Sequence, residues 1–428
     1  MKLTCAPTGF DFKEDGGLNF CLYGQPKSAT SSKSARGGGG AAALRKIKQS
    51  GLVPSSRAWD FLSIALSIIA ADTAGLRKES PDGWTRTFEV TVAVIDPKFW
   101  SSQATALQSA LQFLTTDRWS LRFVPGGLQP KPPKYITRPP QDCVMLLSGG
   151  LDSLIGALDL SANGRIPLAV SQIVRGDGEK QTVFAAEVGD GSKHLAMNHN
   201  VTTPGESEDS QRARSLIFLA FGVIAATSLK KYHEGEEVSL YVCENGFIAI
   251  NSPLTGARIG SLSTRTAHPE FLNRLQDILN AASLNVQITN PYGLMTKGEM
   301  MRQCADQDRL RIYAPQSTSC GRFQRYNYKH CGRCIPCQIR RAAFLYWGET
   351  DDTNYLFANL GKVDDDHARF DDVRSASTAV AVKNADGLDS WIGASLSYPM
   401  MGERGPLRDM IGRGLDELGE LHKTLGVK

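Results

Sequence analysis

Residues 144–153 read VMLLSGGLDS. Four apolar residues suit a buried strand, and LIGALDL (154–160) continues with helical spacing. Between them Gly149 and Gly150 carry no side chain, so the backbone can approach an anion. Ser148 and Ser153 offer hydroxyls, and the first amides of the helix point the same way with the positive end of its dipole. A pyrophosphate fits these donors. Asp152 would repel it unless a cation intervenes, which makes Mg²⁺ an expected companion. A plain glycine turn capped by Asp152 is the alternative, and the complete SGGxDS string between strand and helix outweighs it. No GxxxxGK[ST] occurs anywhere, which disfavours a Walker-type kinase or ATPase.

Outward from this loop, the chain after Asp142 alternates strands and helices. Strands are predicted at 144–147, 167–174, 194–199, 238–243 and 285–289, with helices at 152–160, 180–188, 210–229, 269–282 and 296–304. Short apolar strands between helices imply a Rossmann-like parallel sheet covered on both faces. Ligands then bind beyond the carboxyl ends of its strands. Upstream, six prolines between Pro125 and Pro140 mark an extended connector. The division expected is an α+β accessory domain over 1–140, the nucleotide domain over 141–350 and a helical extension over 351–428. Within the front unit, Trp59–Ala74 reads as a buried core helix, because Asp60 and Asp72 interrupt a stretch already short for a membrane span. Gly37–Gly40 lies in a low-complexity run and reads as a flexible loop. Leu407, Ile411, Leu415, Leu418 and Leu425 share one face of a terminal helix. No internal sequence repeat is evident.

Charge adds little: 48 basic against 44 acidic residues leave +4, which does not predict a nucleic-acid surface. The opening MKLTCAPTGFDF does not resemble an export signal. Nine cysteines then suggest reduced thiols in a cytoplasmic protein. Four of them are spaced as a ligand set. Cys320, Cys331, Cys334 and Cys337 form C-x10-C-x2-C-x2-C, which lets four thiolates close a tetrahedron around a structural Zn²⁺. An iron–sulfur cluster uses the same ligands and is the second choice. His330 is adjacent but unnecessary.

The SGGLDS loop resembles the PP-loop of the N-type ATP pyrophosphatases, enzymes that cleave ATP between the α and β phosphates and adenylate an oxygen. Joined with the downstream cysteines, it resembles the 7-cyano-7-deazaguanine synthase (QueC-type) family. The likeness runs over roughly 142–347 and includes GEKQ (178–181), RARSLIFLA (212–220) and TKGEM (296–300). It implies an ATP-dependent, AMP-forming C–N ligase acting on a 7-carboxy-7-deazaguanine, with ATP, Mg²⁺ and Zn²⁺ as cofactors. On this resemblance the catalytic set is Asp152, Ser148, Ser153, Arg214 and Lys297. The nucleotide-binding set is Ser148, Gly149, Gly150, Leu151, Asp152, Ser153, Ser171 and Arg214. TKGE also reads as a helix start with Thr296 and Glu299 as a capping box. The segment after the fourth strand departs from the synthases. Its Glu244, Asn245 and Asn251 suit a guanine-like edge, and Arg258, Arg265 or His268 a carboxylate.

Front domain, this segment and length look like the QueC-like proteins of bacterial anti-phage systems, QatC-type above all. That likeness implies a partner protein from a defence operon and a protein amine as one possible acceptor, beside ammonia. Two other readings compete: a tRNA-modifying PP-loop thiolase, and a nucleotide-binding module that acts by docking to defence partners.

Overall fold

A computed structural model describes residues 1–12, 16–25, 36–173, 176, 178–187, 192–252, 254, 265–361 and 372–427. Period-two burial builds its front unit. In β4 (Thr87–Val94) and β5 (Arg118–Pro125), Phe88, Val90, Val92, Trp119, Leu121 and Phe123 point inward, while Glu89, Arg118, Ser120 and Arg122 stay exposed. With β1 (Lys2–Pro7), β2 (Leu18–Gly24) and β3 (Gly37–Gly40) they form one sheet in the order β3-β2-β1-β4-β5. Every pairing is parallel, so this unit is α/β and not the α+β arrangement expected. Alternation signals a strand but carries no information on its direction. The helices α1 (Ala41–Gln49), α2 (Ser56–Ala74), α3 (Pro97–Ser102) and α4 (Ala104–Thr115) provide the crossovers.

The glycine run is a second correction. Gly37–Gly40 is a buried strand and not a loop. A β-carbon on Gly37 would stand 2.7 Å from the Phe20 ring, and one on Gly39 2.8 Å from Val201. Gly38 exchanges backbone hydrogen bonds with Thr202 at 3.0 and 2.9 Å. Only glycine fits a strand pressed so closely from both sides.

The second sheet holds β6 (Cys143–Leu146), β7 (Pro167–Gln172), β8 (Lys193–Met197), β9 (Val238–Tyr241) and β10 (Val286–Thr289) in the order β10-β9-β6-β7-β8. All its pairings are parallel, as the sequence predicts. Both sheets therefore place their first strand in the middle and share one winding, although no sequence repeat announces it. On one face lie α5 (Leu151–Ala162) and α6 (Gly178–Glu187), packed with Met145, Leu147 and Ala169. On the other, α7 (Arg214–Ala226) and α10 (Pro269–Ala281) cover Val144, Leu146 and Val170. Short helices α8 (Lys230–His233) and α9 (Gly246–Ile250) flank β9. Then α11 (Lys297–Gln303), α12 (Gln307–Tyr313) and α13 (Ile335–Trp347) join the α5 side. Winding reverses between β6 and β9, which opens a crevice beyond their carboxyl ends.

The two units share one hydrophobic core, in which α2 packs on α7 and α4 on α10. Residues 58–73 of α2 are all buried, as a core helix requires. At its end Asp72 Oδ2 accepts the backbone N–H groups of Arg212 and Ala213, both at 2.8 Å, and so satisfies the start of α7. The tail adds helices Asp372–Asp386, Leu388–Ile392 and Arg404–Thr424. The terminal helix buries Leu407, Ile411, Leu415 and Leu418 against α9 and α13, while Leu425 is its partly buried cap. Among the described residues, no helix is long and apolar enough to cross a membrane.

Candidate active site

Leu147 still bonds to the sheet through its N–H to Val170 O at 2.7 Å, and the chain then turns into α5 at Gly150. Neither Gly149 nor Gly150 has a positive φ. Gly150 instead allows close approach, since a β-carbon on it would stand 3.1 Å from Ser148 Oγ and 3.5 Å from Thr318 O. Ser153 Oγ accepts the Ser148 N–H at 3.2 Å and lies 3.0 Å from the carbonyls of Ser148 and Gly150. Ser148 Oγ lies 2.9 Å from Ser153 Oγ and accepts the Gly150 N–H at 3.1 Å. Alongside runs the segment before Cys320: Thr318 donates its N–H to Gly149 O at 2.7 Å, and its hydroxyl accepts from Lys180 at 2.6 Å.

The loop opens into a cavity of about 580 Å³. Ser148, Gly150, Leu151, Asp152, Ser153 and Lys297 line it on the loop side. Glu244, Phe247, Ile248 and Asn251 come from the segment after β9; Ser319, Arg322, Ile335 and Pro336 come from the cysteine segment. The tail contributes Asp372, whose Oδ2 accepts the Ile335 N–H at 3.0 Å.

Asp152 is buried, yet its surroundings keep it ionised. Burial pushes its carboxyl up. The Lys297 ammonium, the Glu244 side chain and the Asn245 N–H pull harder and bring it down to about 2. Lys297 is itself buried and donates to Asp152 Oδ1. Asn245 donates to Oδ2 twice, from its backbone at 3.0 Å and its side chain at 2.7 Å. Glu244 is pushed well above the carboxylate range by burial and then by the Asp152 charge. One proton on the pair therefore rests on Glu244, and the negative charge rests on Asp152.

Several expected residues meet here and several do not. Ser148, Gly150, Leu151, Asp152, Ser153, Lys297, Glu244 and Asn251 line the cavity. Gly149 takes part through its carbonyl. The capping box is present: Thr296 and Glu299 start α11, which places Lys297 against Asp152. Asn245 does not line the cavity; fully buried, it caps α9 through Ile248 N–H at 3.0 Å and orients Asp152. Ser171 is buried beside the loop strand, donating to Leu147 O at 2.6 Å and facing His194 Nε2 at 2.8 Å. Arg214 is exposed at the start of α7, near His199 and outside the cavity lining. Its motif serves packing instead: the Arg212 guanidinium bonds Thr116 Oγ1 at 2.9 Å and stacks on Trp84.

Arg265 is also displaced from the site. It donates to Phe113 O and to Tyr398 Oη, both at 2.8 Å, where the front unit meets the tail. His268 caps α10 beside Phe113. Arg258 lies outside the described residues. Arg265 and His268 are taken up by contacts with Phe113 of the front unit and Tyr398 of the tail. Thr318 and Asp372 escaped the sequence reading. Thr318 had a faint signal in the polar TS pair before Cys320; Asp372 had none.

The four cysteines of the expected ligand set come together in space. All four sulfurs of Cys320, Cys331, Cys334 and Cys337 lie within 4.8 Å of one another and all four residues are buried. Cys320–Cys334 and Cys331–Cys337 are each 3.9 Å apart. Sulfurs bound at about 2.3 Å around a tetrahedral zinc ion stand about 3.8 Å apart, so the cage fits that ion. Backbone N–H groups of Cys331 and Cys334 point at Cys320 and Cys331 sulfurs at 3.4 and 3.3 Å, which stabilises thiolates. His330 is no ligand, because its Nε2 accepts the Ser319 N–H at 3.1 Å.

Comparison with known proteins locates the likeness. Residues 266–348 match the family model described as "QueC: Queuosine biosynthesis protein QueC". The chain is similar to the 7-cyano-7-deazaguanine synthase of Methanococcus aeolicus, at 31% identity over 90 residues, and to that of Methanococcus maripaludis, at 34% over 92. The matches cover 20% and 21% of this chain, and it spans only 38% and 39% of those relatives. No solved structure matches the chain. The segment carrying Lys297 and the four cysteines is QueC-like, in a PP-loop α/β fold extended at both ends.

Proposed function

We propose that the protein is an ATP-dependent, AMP-forming ligase acting on the carboxylate of a 7-carboxy-7-deazaguanine-type base. The observation that carries this reading is the ionised Asp152 of SGGLDS, held between Lys297 and Asn245 at the wall of the cavity. Ser148, Ser153 and the amides of the loop bind the β and γ phosphates. Asp152 and Glu244 would hold Mg²⁺, which would supply neutralisation of the triphosphate charge. Lys297 then faces the negative charge that develops as ATP is cleaved. The base lies between the apolar walls of Phe247 and Ile248 on one side and Ile335 and Pro336 on the other. A carboxylate oxygen of the base bonds to the α phosphorus while the bond to the β-phosphate oxygen breaks, and pyrophosphate leaves with the electron pair. A nitrogen nucleophile next attacks the acyl carbon; AMP departs and the nitrogen loses a proton. The four cysteines hold Zn²⁺ as a structural ion, bracing Ser319 and Ile335 at the cavity.

The finer reading is that the acceptor is an amine on a partner protein of a bacterial defence operon. Ammonia needs no docking surface and a protein amine does, and the front unit and tail, which lie outside the QueC-like segment, motivate the second choice. The test incubates the protein with ATP, 7-carboxy-7-deazaguanine and candidate partners, measuring pyrophosphate and intact masses. Pyrophosphate release with a partner gaining the acyl-base mass is expected. Free amide or nitrile with no partner mass gain sinks the conjugation, and absence of pyrophosphate release sinks the ligase itself.

A further inference from the structure

The tail reaches the lysine of the site through a single buried carboxyl. Glu417, on the terminal helix, is only 8% exposed. It accepts the Thr296 hydroxyl, and the backbone N–H of Gly298 also donates to it. These two donors flank Lys297 in sequence. Thr296 can serve because its oxygen already accepts the Glu299 N–H at 3.1 Å, which leaves its proton for Glu417. The fit is close: a β-carbon on Gly298 would stand 2.7 Å from Glu417 Oε1. One turn earlier on the same helix, Arg413 donates to both oxygens of Glu299, at 2.5 and 3.2 Å, and to Leu294 O at 3.0 Å. The amino end of α11 is thus gripped on both sides of Lys297 by a helix that lies beyond the QueC-like segment.

We propose that Glu417 is a positioning residue: from the tail it fixes the first turn of α11 and thereby sets where the Lys297 ammonium stands against Asp152. The role assigned to Lys297 in ATP cleavage is that of the reading above, and this inference rests on it for its catalytic consequence. Losing the acceptor that holds an amino-terminal N–H and the capping hydroxyl frees the first turn. A lysine on a four-carbon stem then samples many rotamers in place of one.

Two measurements test this. Labelling of Lys297 by an amine-acetylating reagent, read by peptide mass spectrometry, is expected to be at least fivefold faster in Glu417→Leu, which has no acceptor for Thr296 or Gly298, than in the wild type, with Lys180 unchanged as the internal control. Pyrophosphate release at saturating ATP, normalised to bound zinc, is expected to fall at least tenfold in Glu417→Leu. The same substitution made in a Lys297→Met background is expected to cost nothing more, whereas a merely structural loss would multiply. Unchanged Lys297 labelling, or an effect that persists undiminished in the Lys297→Met background, overturns the proposal. Faster labelling in a protein whose wild type releases no pyrophosphate would uphold the positioning and sink the ligase reading. Should Glu417→Leu not fold, Thr296→Val removes the same hydrogen bond from the other side and is expected to give the same labelling.

Discussion

At the scale of single residues, the site is governed by one buried charge and the groups that hold it. Replacing Lys297 by methionine leaves Asp152 buried beside Glu244 with no cation. The expected cost is about 3–5 kcal/mol in urea unfolding, since an uncompensated charge remains. Loss smaller than about 1 kcal/mol would mean that the pair is not desolvated. Asp152→Asn keeps shape but removes the charge, and pyrophosphate release is expected to fall by about a hundredfold or more. Glu417 gives a pH signature of its own. Burial first, and then the Glu299 charge, raise its carboxyl to about 7, from an ordinary value of 4.5. A raised folded value means that the native state binds the proton more tightly than the unfolded chain. Its contribution is complete below about pH 4.5 and is lost as pH rises to about 7. Glu417→Gln has no proton to lose, so the melting temperature of this variant relative to the wild type is expected to climb between those pH values. A constant difference would contradict the shift.

Elements transmit these local arrangements. The pairing of Thr318 with Gly149 joins the cysteine segment to the phosphate loop, and the same segment carries the sulfur cage. If the cage holds the proposed zinc, stripping the ion with a chelator is expected to speed hydrogen exchange over 317–338, and next at Gly149 and Gly150, before the front unit responds. Uniform exchange throughout would mean the cage does not brace the loop. Close approach fixes other elements. In α5 a β-carbon on Gly156 would stand 2.3 Å from Cys243 Sγ. Gly156→Ala must therefore push the helix off β9, at an expected cost of about 1–3 kcal/mol by thermal unfolding. One edge strand of each sheet, β5 and β10, is shielded in the same manner: Gln108 of α4 accepts the Leu121 N–H, and Gln276 of α10 accepts the Ile288 N–H, each at 2.7 Å. A helix side chain thus occupies an edge group that would otherwise pair with another strand.

For the whole molecule, the shared core of α2 with α7 and α4 with α10 decides behaviour. Calorimetry is expected to show one cooperative transition for both sheets, and a chain starting at 141 to be insoluble, because α7 and α10 would lose the cover of α2 and α4. Two separate transitions would show the units to be independent. By itself the sequence determined what depends on neighbours along the chain. Those features are the strand–SGGLDS–helix loop, the alternating strands and helices of the second sheet, and the cysteine quartet with its two-residue gaps. Tertiary structure alone decided the pairing of Asp152 with Lys297, 145 residues apart, and of Thr296 with Glu417, 121 apart. It also removed Arg214 and Arg265 from the cavity and made a strand of four glycines. The physical reason is that such contacts arise where layers stack. Which helix meets which is set by the summed burial of whole faces, and no local pattern around Glu417 or Arg265 records it.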